Sequence, residues 1–215
     1  MDVVVENLDV FARGFWLTVQ LTLLGAVGAL LLGTLIAAMR VSPIPPLRAF
    51  AVGYTEVVRN TPLTVVFTIA IFGLPKLDLT TSLFRFAVLA LSVYTSAFVA
   101  EAVRSGINSV AAGQAEAARS IGMSFSQTLS LVVLPQAFRN IVPPLASIFI
   151  ALLKNTSIAA AFGTREGTQT MQQLINANGQ AVIPIILASA AGYVVLALGS
   201  GFLFSRLERR LAVAR

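Results

Sequence analysis

The side chains able to do chemistry in this sequence are few, and they stand where charge is costly. Glu56, Arg59, Glu101 and Lys154 lie within or at the edges of long apolar stretches. A charge at the centre of a bilayer costs about 2.5–3.5 kcal/mol even on the more lenient insertion scale, so such groups pair or face a polar interior. Their chemistry is that of holding or passing a polar solute, not of breaking bonds. Glu56 and Arg59 are three residues apart, share a helical face and are expected to neutralise each other; Pro62 follows and is expected to kink the helix. An ion pair that ties helices at the membrane edge and a direct contact with solute are both open readings of this pair. Lys154 closes an apolar stretch together with Asn155, Thr156 and Ser157, a group of donors placed where a span breaks or opens, as at a gate. Ser92, Tyr94, Thr95 and Ser96, with Ser147 on a later stretch, are the other intramembrane polar groups. They are read either as bonds between helices, worth about 0.6 kcal/mol each on average, or as the wall of a path.

What is missing narrows the field. The chain has no histidine and no cysteine, which removes thiol chemistry, disulfides and the usual zinc ligands. No catalytic residue and no metal site is expected. An intramembrane enzyme would also need paired carboxylates at catalytic spacing on a helix, and the sequence has none. Its two lysines, Lys76 and Lys154, follow no glycine-rich loop, and no Gly-x-x-x-x-Gly-Lys-Ser/Thr motif is present. No nucleotide phosphate cradle is therefore expected in this chain.

The elements that must position these groups are membrane helices. Of 215 residues, 57% are hydrophobic and 11% charged, with a mean hydropathy of +0.86, whereas soluble domains run at about 45–50% and about 25%. The stretches Phe15–Met39, Ala51–Leu74, Leu83–Val103, Ile141–Phe162 and Val182–Phe204 each approach or exceed the ~20 residues that cross a bilayer. An all-α protein of five transmembrane helices is expected, a single domain over residues 1–215. Met1 to Asp9 carries Asp2, Glu6 and Asp9 and no basic residue, unlike a cleavable signal, so the first span is expected to stay.

The net charge of +6 and pI near 10.8 come from arginines scattered at the ends of these stretches, which reads as topology and not as a nucleic-acid surface. With the N-terminus outside, Arg40 and Arg48, then Arg104, Arg119 and Arg139, then Arg206, Arg209, Arg210 and Arg215 all fall on the cytoplasmic side. Arg13, Lys76, Arg85 and Arg165 are left outside beside Asp2, Glu6, Asp9, Asp78 and Glu166. Gly25, Gly28 and Gly33, with Ala26 and Ala29, let the first helix approach a neighbour closely. Pro43, Pro45 and Pro46 form the turn into the second span. There is no inverted repeat, which counts against a self-contained secondary transporter.

The segment from Arg104 to Asn140 is amphipathic rather than merely polar, and something is expected to dock there. Within it, Gly113-Gln-Ala-Glu-Ala-Ala118 is rich in helix formers and predicts a short helix, Gly122 ends it, and Leu134-Pro135 announces the return to the membrane. The spacing Glu116-Ala117-Ala118, three residues, Gly122, nine residues, Val132, one residue, Leu134-Pro135 resembles the EAA loop of ATP-binding-cassette importer permeases. Further text resembles the polar amino-acid branch of that family: Glu56-Val-Val-Arg-Asn-Thr-Pro-Leu63, Ala97-Phe-Val-Ala-Glu-Ala-Val-Arg104, Leu134-Pro-Gln-Ala-Phe-Arg139 and Leu153-Lys-Asn-Thr-Ser157.

The resemblance implies a type I permease fold, N-terminus outside and C-terminus cytoplasmic, in the bacterial cytoplasmic membrane. It implies a second permease, two cytosolic ATPases that bind ATP and Mg, and a solute-binding protein outside; the second permease is expected to be a different chain. The loop at about 104–140 would be the lever. Gly113, Ala115, Ala117 and Ala118 would offer a surface small enough for close docking, Glu116 and Arg119 would pair across the interface, Gly122 would turn the chain, and Leu134 and Pro135 would lead back. Arg59, Thr61, Tyr94, Ser96, Ser147, Lys154, Thr156 and Ser157 are the expected path or gate. Ser147-Ile148-Phe149 stands where many relatives read Asn-Glu-Phe, Tyr94 where many have Asn, and Phe98 where many have Tyr. Losing that glutamate removes a partner for a buried cation. The wording most resembles actinobacterial glutamate permease subunits, so glutamate, or another acidic or neutral polar amino acid, is the expected substrate. A permease for basic or other polar amino acids, or a channel or structural membrane subunit with no ATPase, are the alternatives.

Overall fold

The first apolar stretch folds as one long helix, because nothing in it interrupts the apolar run. In the computed structural model, which describes residues 2–211, a short α1 (Asp2–Glu6) leads into α2 (Leu8–Arg40). Arg215 of the expected basic tail lies outside the described residues. At 33 residues and 1.5 Å per residue, α2 is about 50 Å long and exceeds a hydrocarbon core of ~30 Å. Pro45 then starts α3 (Pro45–Asn60) at a position whose N–H would have no helical partner anyway.

The second apolar stretch is not one straight span. At Thr61 and Pro62 the chain turns by 103° into α4 (Leu63–Thr68), which runs on through a π-helical turn (Ile69–Gly73) and a 3₁₀ turn (Leu74–Leu77). The kink expected from Pro62 is thus a full corner. Ser82 caps α5 (Leu83–Asn108) through the Arg85 N–H at 3.4 Å. Then come α6 (Ala112–Ser120) and α7 (Phe125–Gln127), the latter opened by a reciprocal Ser124–Gln127 cap. A π-helical stretch (Thr128–Val133) joins α7 to α8 (Leu134–Asn155), so the fourth span is continuous helix from Phe125 and not from Ile141. It changes to 3₁₀ geometry over Thr156–Phe162, directly after Lys154 and Asn155. Next is α9 (Gly167–Ala177), which the sequence reading did not anticipate, and then α10 (Val182–Leu211).

Among the described residues, α2, α5, the α7–α8 unit and α10 are long and apolar enough to cross a membrane. The bent α3–α4 pair makes a fifth crossing if counted as one, and no strand is present among them. The α6 segment and α9 therefore cap opposite ends of the bundle. The centre is the α2–α5 contact, and glycines create it. A Cβ on Gly28 would lie 2.3 Å from the Ser92 Oγ, and one on Gly33 would lie 2.7 Å from the Ser96 carbonyl oxygen. One apolar cluster joins Leu21, Phe67, Leu91 and Leu152, and a second, toward the α6 end, joins Ile36, Ala37, Ala51 and Ala100. By contrast α10 is applied to the outside, leaving Val194, Val195, Leu198 and Leu203 exposed.

Candidate functional site

Glu101, near the end of α5, gathers three arginines from three helices. Arg40 at the end of α2 and Arg104 one turn further along α5 both donate to its carboxylate, and Arg59 of α3 stands 4.0 Å away. The expected pairing of Glu56 with Arg59 does not occur: Arg59 turns to Glu101, and Glu56 stays exposed without an ion pair among the described residues. The reason lies in the corner at Pro62, which leaves the last turn of α3 against α5, where a partly buried carboxylate outcompetes a solvated one. The Arg59 guanidinium also lies over the Phe98 ring, 5.5 Å from its centroid. This knot ties α2, α3 and α5 at the α6 end of the bundle.

One turn deeper, Tyr94, Thr95 and Phe98 of α5 face Ile148, Ala151, Leu152 and Asn155 of α8 across a cavity of about 180 Å³. No carboxylate lines it. The Thr95 hydroxyl is buried without a hydrogen-bond partner, an arrangement that costs free energy unless a ligand or water meets it. Of the expected path residues, Tyr94 alone lines this cavity. Ser96 instead is fully buried and bonded to the Tyr54 hydroxyl at 2.7 Å, a staple between α5 and α3. Thr61 bonds back to the Val57 carbonyl at the corner, Thr156 to the Leu153 carbonyl at the α-to-3₁₀ junction, and Ser147 is exposed. Lys154 at the end of α8 and Ser157 in the 3₁₀ segment after it lie elsewhere. With Thr168, Ser189 and Tyr193 they line a separate cavity of about 340 Å³ between α8, α9 and α10. The expected path residues therefore divide between two cavities, the arginine cluster at Glu101, one staple between helices, two bonds back to the local backbone and an exposed position.

At the other end, α6 carries the short loop helix as expected. Its C-terminus closes in a Schellman arrangement: the Gly122 N–H donates to the Arg119 carbonyl at 3.0 Å and the Met123 N–H to the Ala118 carbonyl at 3.2 Å, with Gly122 at φ 88°. Only glycine takes that backbone without strain. Glu116, Ala117 and Arg119 are exposed, Gly113 has open space around it, and Leu134 and Pro135 open α8 at the surface. Ala118 is different: at 6% exposure it packs inward on the chain's own return segment, so its small size serves that contact and not an outer surface. Ile121, Phe125 and Phe138 stand 81%, 74% and 56% exposed at this end.

Comparison with known proteins accounts for this arrangement. Residues 29–213 match the family described as binding-protein-dependent transport system inner membrane component. The chain is 42% identical to the glutamate transport system permease protein GluC of Corynebacterium efficiens over 213 residues, covering 94% of this chain and 93% of that one. It is 36% identical to the probable glutamine ABC transporter permease protein GlnM of Bacillus subtilis, covering 98% and 97%. The crystal structure of an amino acid ABC transporter with histidines superposes with a TM-score of 0.90 at 35% identity over 96% of each chain.

The chain belongs to the binding-protein-dependent transport permeases.

It is thus a multi-pass membrane protein of the type I permease fold and not an enzyme; ATP hydrolysis belongs to a separate subunit. Glu166, expected among the external loop charges, is fully buried at the start of α9. Its carboxylate accepts from the N–H groups of Thr168 at 2.8 Å and Gln169 at 3.1 Å, from the Thr18 hydroxyl of α2 at 3.3 Å, and from the Tyr193 hydroxyl of α10. The Gly167 N–H returns a bond to Thr18 at 3.0 Å, and Phe15 packs edge-on against Tyr193 at 5.3 Å. The available signal was Glu166 directly before Gly167 at the head of an apolar-periodic run, an N-cap pattern with an unusual acid.

Proposed function

We propose that the chain is the permease of an amino-acid importer, with glutamate as first substrate and other acidic or neutral polar amino acids next. The observation that carries this is the cavity between α5 and α8. It has no carboxylate to hold a cationic side chain, Ile148 occupies its wall, and Arg59 stacked on Phe98 places positive charge behind one side. A cationic substrate there would be buried without a partner, which is costly; an anionic one gains from the nearby guanidinium. The names of the relatives from Corynebacterium and Bacillus agree with an acidic or neutral polar substrate.

In this reading the α6 end is cytoplasmic and the α9 end outside, in the bacterial cytoplasmic membrane. Two ATPases carrying ATP and Mg receive Gly113, Ala115, Glu116, Ala117 and Arg119, with the exposed Ile121 and Phe125 supplying an apolar contact of the kind that marks protein interfaces. Gly122, Leu134 and Pro135 pass the motion into α8. A second, different permease completes the path, and a solute-binding protein delivers the amino acid from outside. Uptake of labelled glutamate in cells lacking and re-expressing the chain tests the substrate. Re-expression is expected to restore it, and Ile148→Glu to lower it at least tenfold while letting arginine compete. Unchanged glutamate uptake on deletion, with arginine uptake lost, overturns the assignment.

A further inference from the structure

A further cavity lies away from the one proposed for the solute. It is a groove of about 460 Å³ between Leu23 of α2, Phe149 and Leu153 of α8, and the stretch of α10 from Val195 to Leu207. Its two hydroxyls are turned back on their own helices: Thr22 bonds the Thr18 carbonyl at 2.8 Å and Ser200 the Leu196 carbonyl at 2.8 Å. The wall it presents is therefore apolar throughout. Gly199 sits at its middle, and a Cβ there would meet nothing within 4 Å. Glycine is disfavoured inside a helix, and here no close approach of backbone explains it; what its missing side chain does is keep the groove open.

The geometry points to an occupant: one acyl chain of an anionic phospholipid of the cytoplasmic leaflet, with its phosphate at Arg210. From Val195 to Leu207 the helix rises about 18 Å, close to the ~15 Å depth of one leaflet of a ~30 Å core. Arg210 lies three residues beyond Leu207 on the same face, where a headgroup stands when its chain fills the groove. Arg206 is engaged on the Phe202 ring at 4.5 Å. Glu208 is the one acid in this last turn, beside Arg206, Arg209 and Arg210. The cytoplasmic leaflet is the one rich in anionic lipid, and basic residues at its surface attract it. A second permease is the competing occupant. It has to share the solute path, however, and Ile148, Ala151 and Asn155 face that path from a side of α8 more than a quarter-turn from Phe149 and Leu153.

The inference uses the orientation proposed above for α10, but its test does not depend on which leaflet supplies the lipid. The complete transporter, purified in detergent with equal phosphatidylglycerol and phosphatidylcholine, is weighed by native mass spectrometry to count retained lipids. Gly199→Phe, which fills open space, is expected to lower the retained lipid by about tenfold at this subunit, since each buried methylene adds to anchoring. Gly199→Ala is expected to keep it. Arg210→Gln is expected to keep the chain but lower the preference for phosphatidylglycerol by about fivefold, the effect of one basic residue at the surface. Equal lipid retention in Gly199→Phe overturns the proposal. So does dissociation of the permease pair in that variant while Gly199→Ala stays assembled, which makes the groove a subunit interface.

Discussion

Replacing Glu166 with alanine removes a buried carboxylate that α2, α9 and α10 share, beside the apolar cluster of Phe11, Leu174 and Ile185. Two of its four acceptor contacts are the free N–H groups of the first turn of α9, those of Thr168 and Gln169. Loss of an N-cap costs about 1 kcal/mol. The contact with the Tyr193 hydroxyl is a bond to a charged group, of a kind worth about 1.5–3 kcal/mol. The Thr18 bond adds less, because Thr18 keeps the Gly14 carbonyl at 3.3 Å and the Gly167 N–H at 3.0 Å. The sum is roughly 2.5–4 kcal/mol, which at 1.4 kcal/mol per tenfold is about 10²–10³ in an opening equilibrium. The loss falls on the docking of α9, not on the α2–α5 core, so hydrogen exchange resolves it. Amides of 168–177 are expected to exchange about 10²–10³ faster in Glu166→Ala, those of α5 to stay unchanged, and Tyr193→Phe to show a smaller increase. If α9 exchanges at the wild-type rate in Glu166→Ala, the carboxylate does not hold the helix and the reasoning fails.

Gly122→Pro is expected to leave membrane insertion intact while ATP hydrolysis by the assembled transporter no longer drives uptake, because φ 88° is closed to proline; normal coupled uptake in proteoliposomes counts against it. Gly33→Ala brings a methyl to 2.7 Å from the Ser96 carbonyl oxygen, whereas Gly53→Ala meets nothing within 4 Å. The first is expected to lower the melting temperature of the complex by several degrees and the second to leave it unchanged, read by thermal shift. Lys154→Ala is expected to reduce uptake with the amount of assembled complex preserved, since Lys154 lines an open cavity beside Ser157, Thr168 and Tyr193 and makes no ion pair among the described residues; equal loss of both would make the lysine structural.

The parts legible in the sequence are those whose physics is local. Apolar length marked the spans, Pro62 marked the corner, and Gly122 marked the end of α6, each because one residue type has one dominant backbone effect. Pairings that depend on where helices meet were not legible. Glu56 and Arg59 are neighbours on α3, yet Arg59 reaches Glu101 on another helix, a choice made by the 103° bend. Ser96 and Tyr94 are two residues apart, and the rotation of α5 sends one to a staple with Tyr54 and the other to a cavity. The burial of Glu166 escaped for the same reason, since its partners Thr18 and Tyr193 lie 148 and 27 residues away.

These contacts fix the permease at both ends of α2, and α8 is set against α5 by a close glycine contact of its own, Gly106 against Ile141. One face of α5 is locked to α2 by glycine contacts that admit no other spacing, and Arg40 and Arg59 tie α2 and α3 to the same helix through Glu101. The opposite end of α2 is held to α9 and α10 by Glu166. Between these fixed points runs α8, entered through a π-helical turn, carrying Pro143 and Pro144 inside its length and leaving through a 3₁₀ segment. Each of these interrupts regular helical hydrogen bonding at a defined place. On the coupling proposed above, force applied at α6 enters the bundle through this helix, whose Ile148, Ala151 and Asn155 form one wall of the cavity of about 180 Å³ while Tyr94 and Phe98 of α5 form the other. Under that proposal a shift of α8 against α5 changes the cavity directly and has to carry Ile141 past Gly106, and a two-state switch of this kind needs ATP binding to favour only one position of the helix.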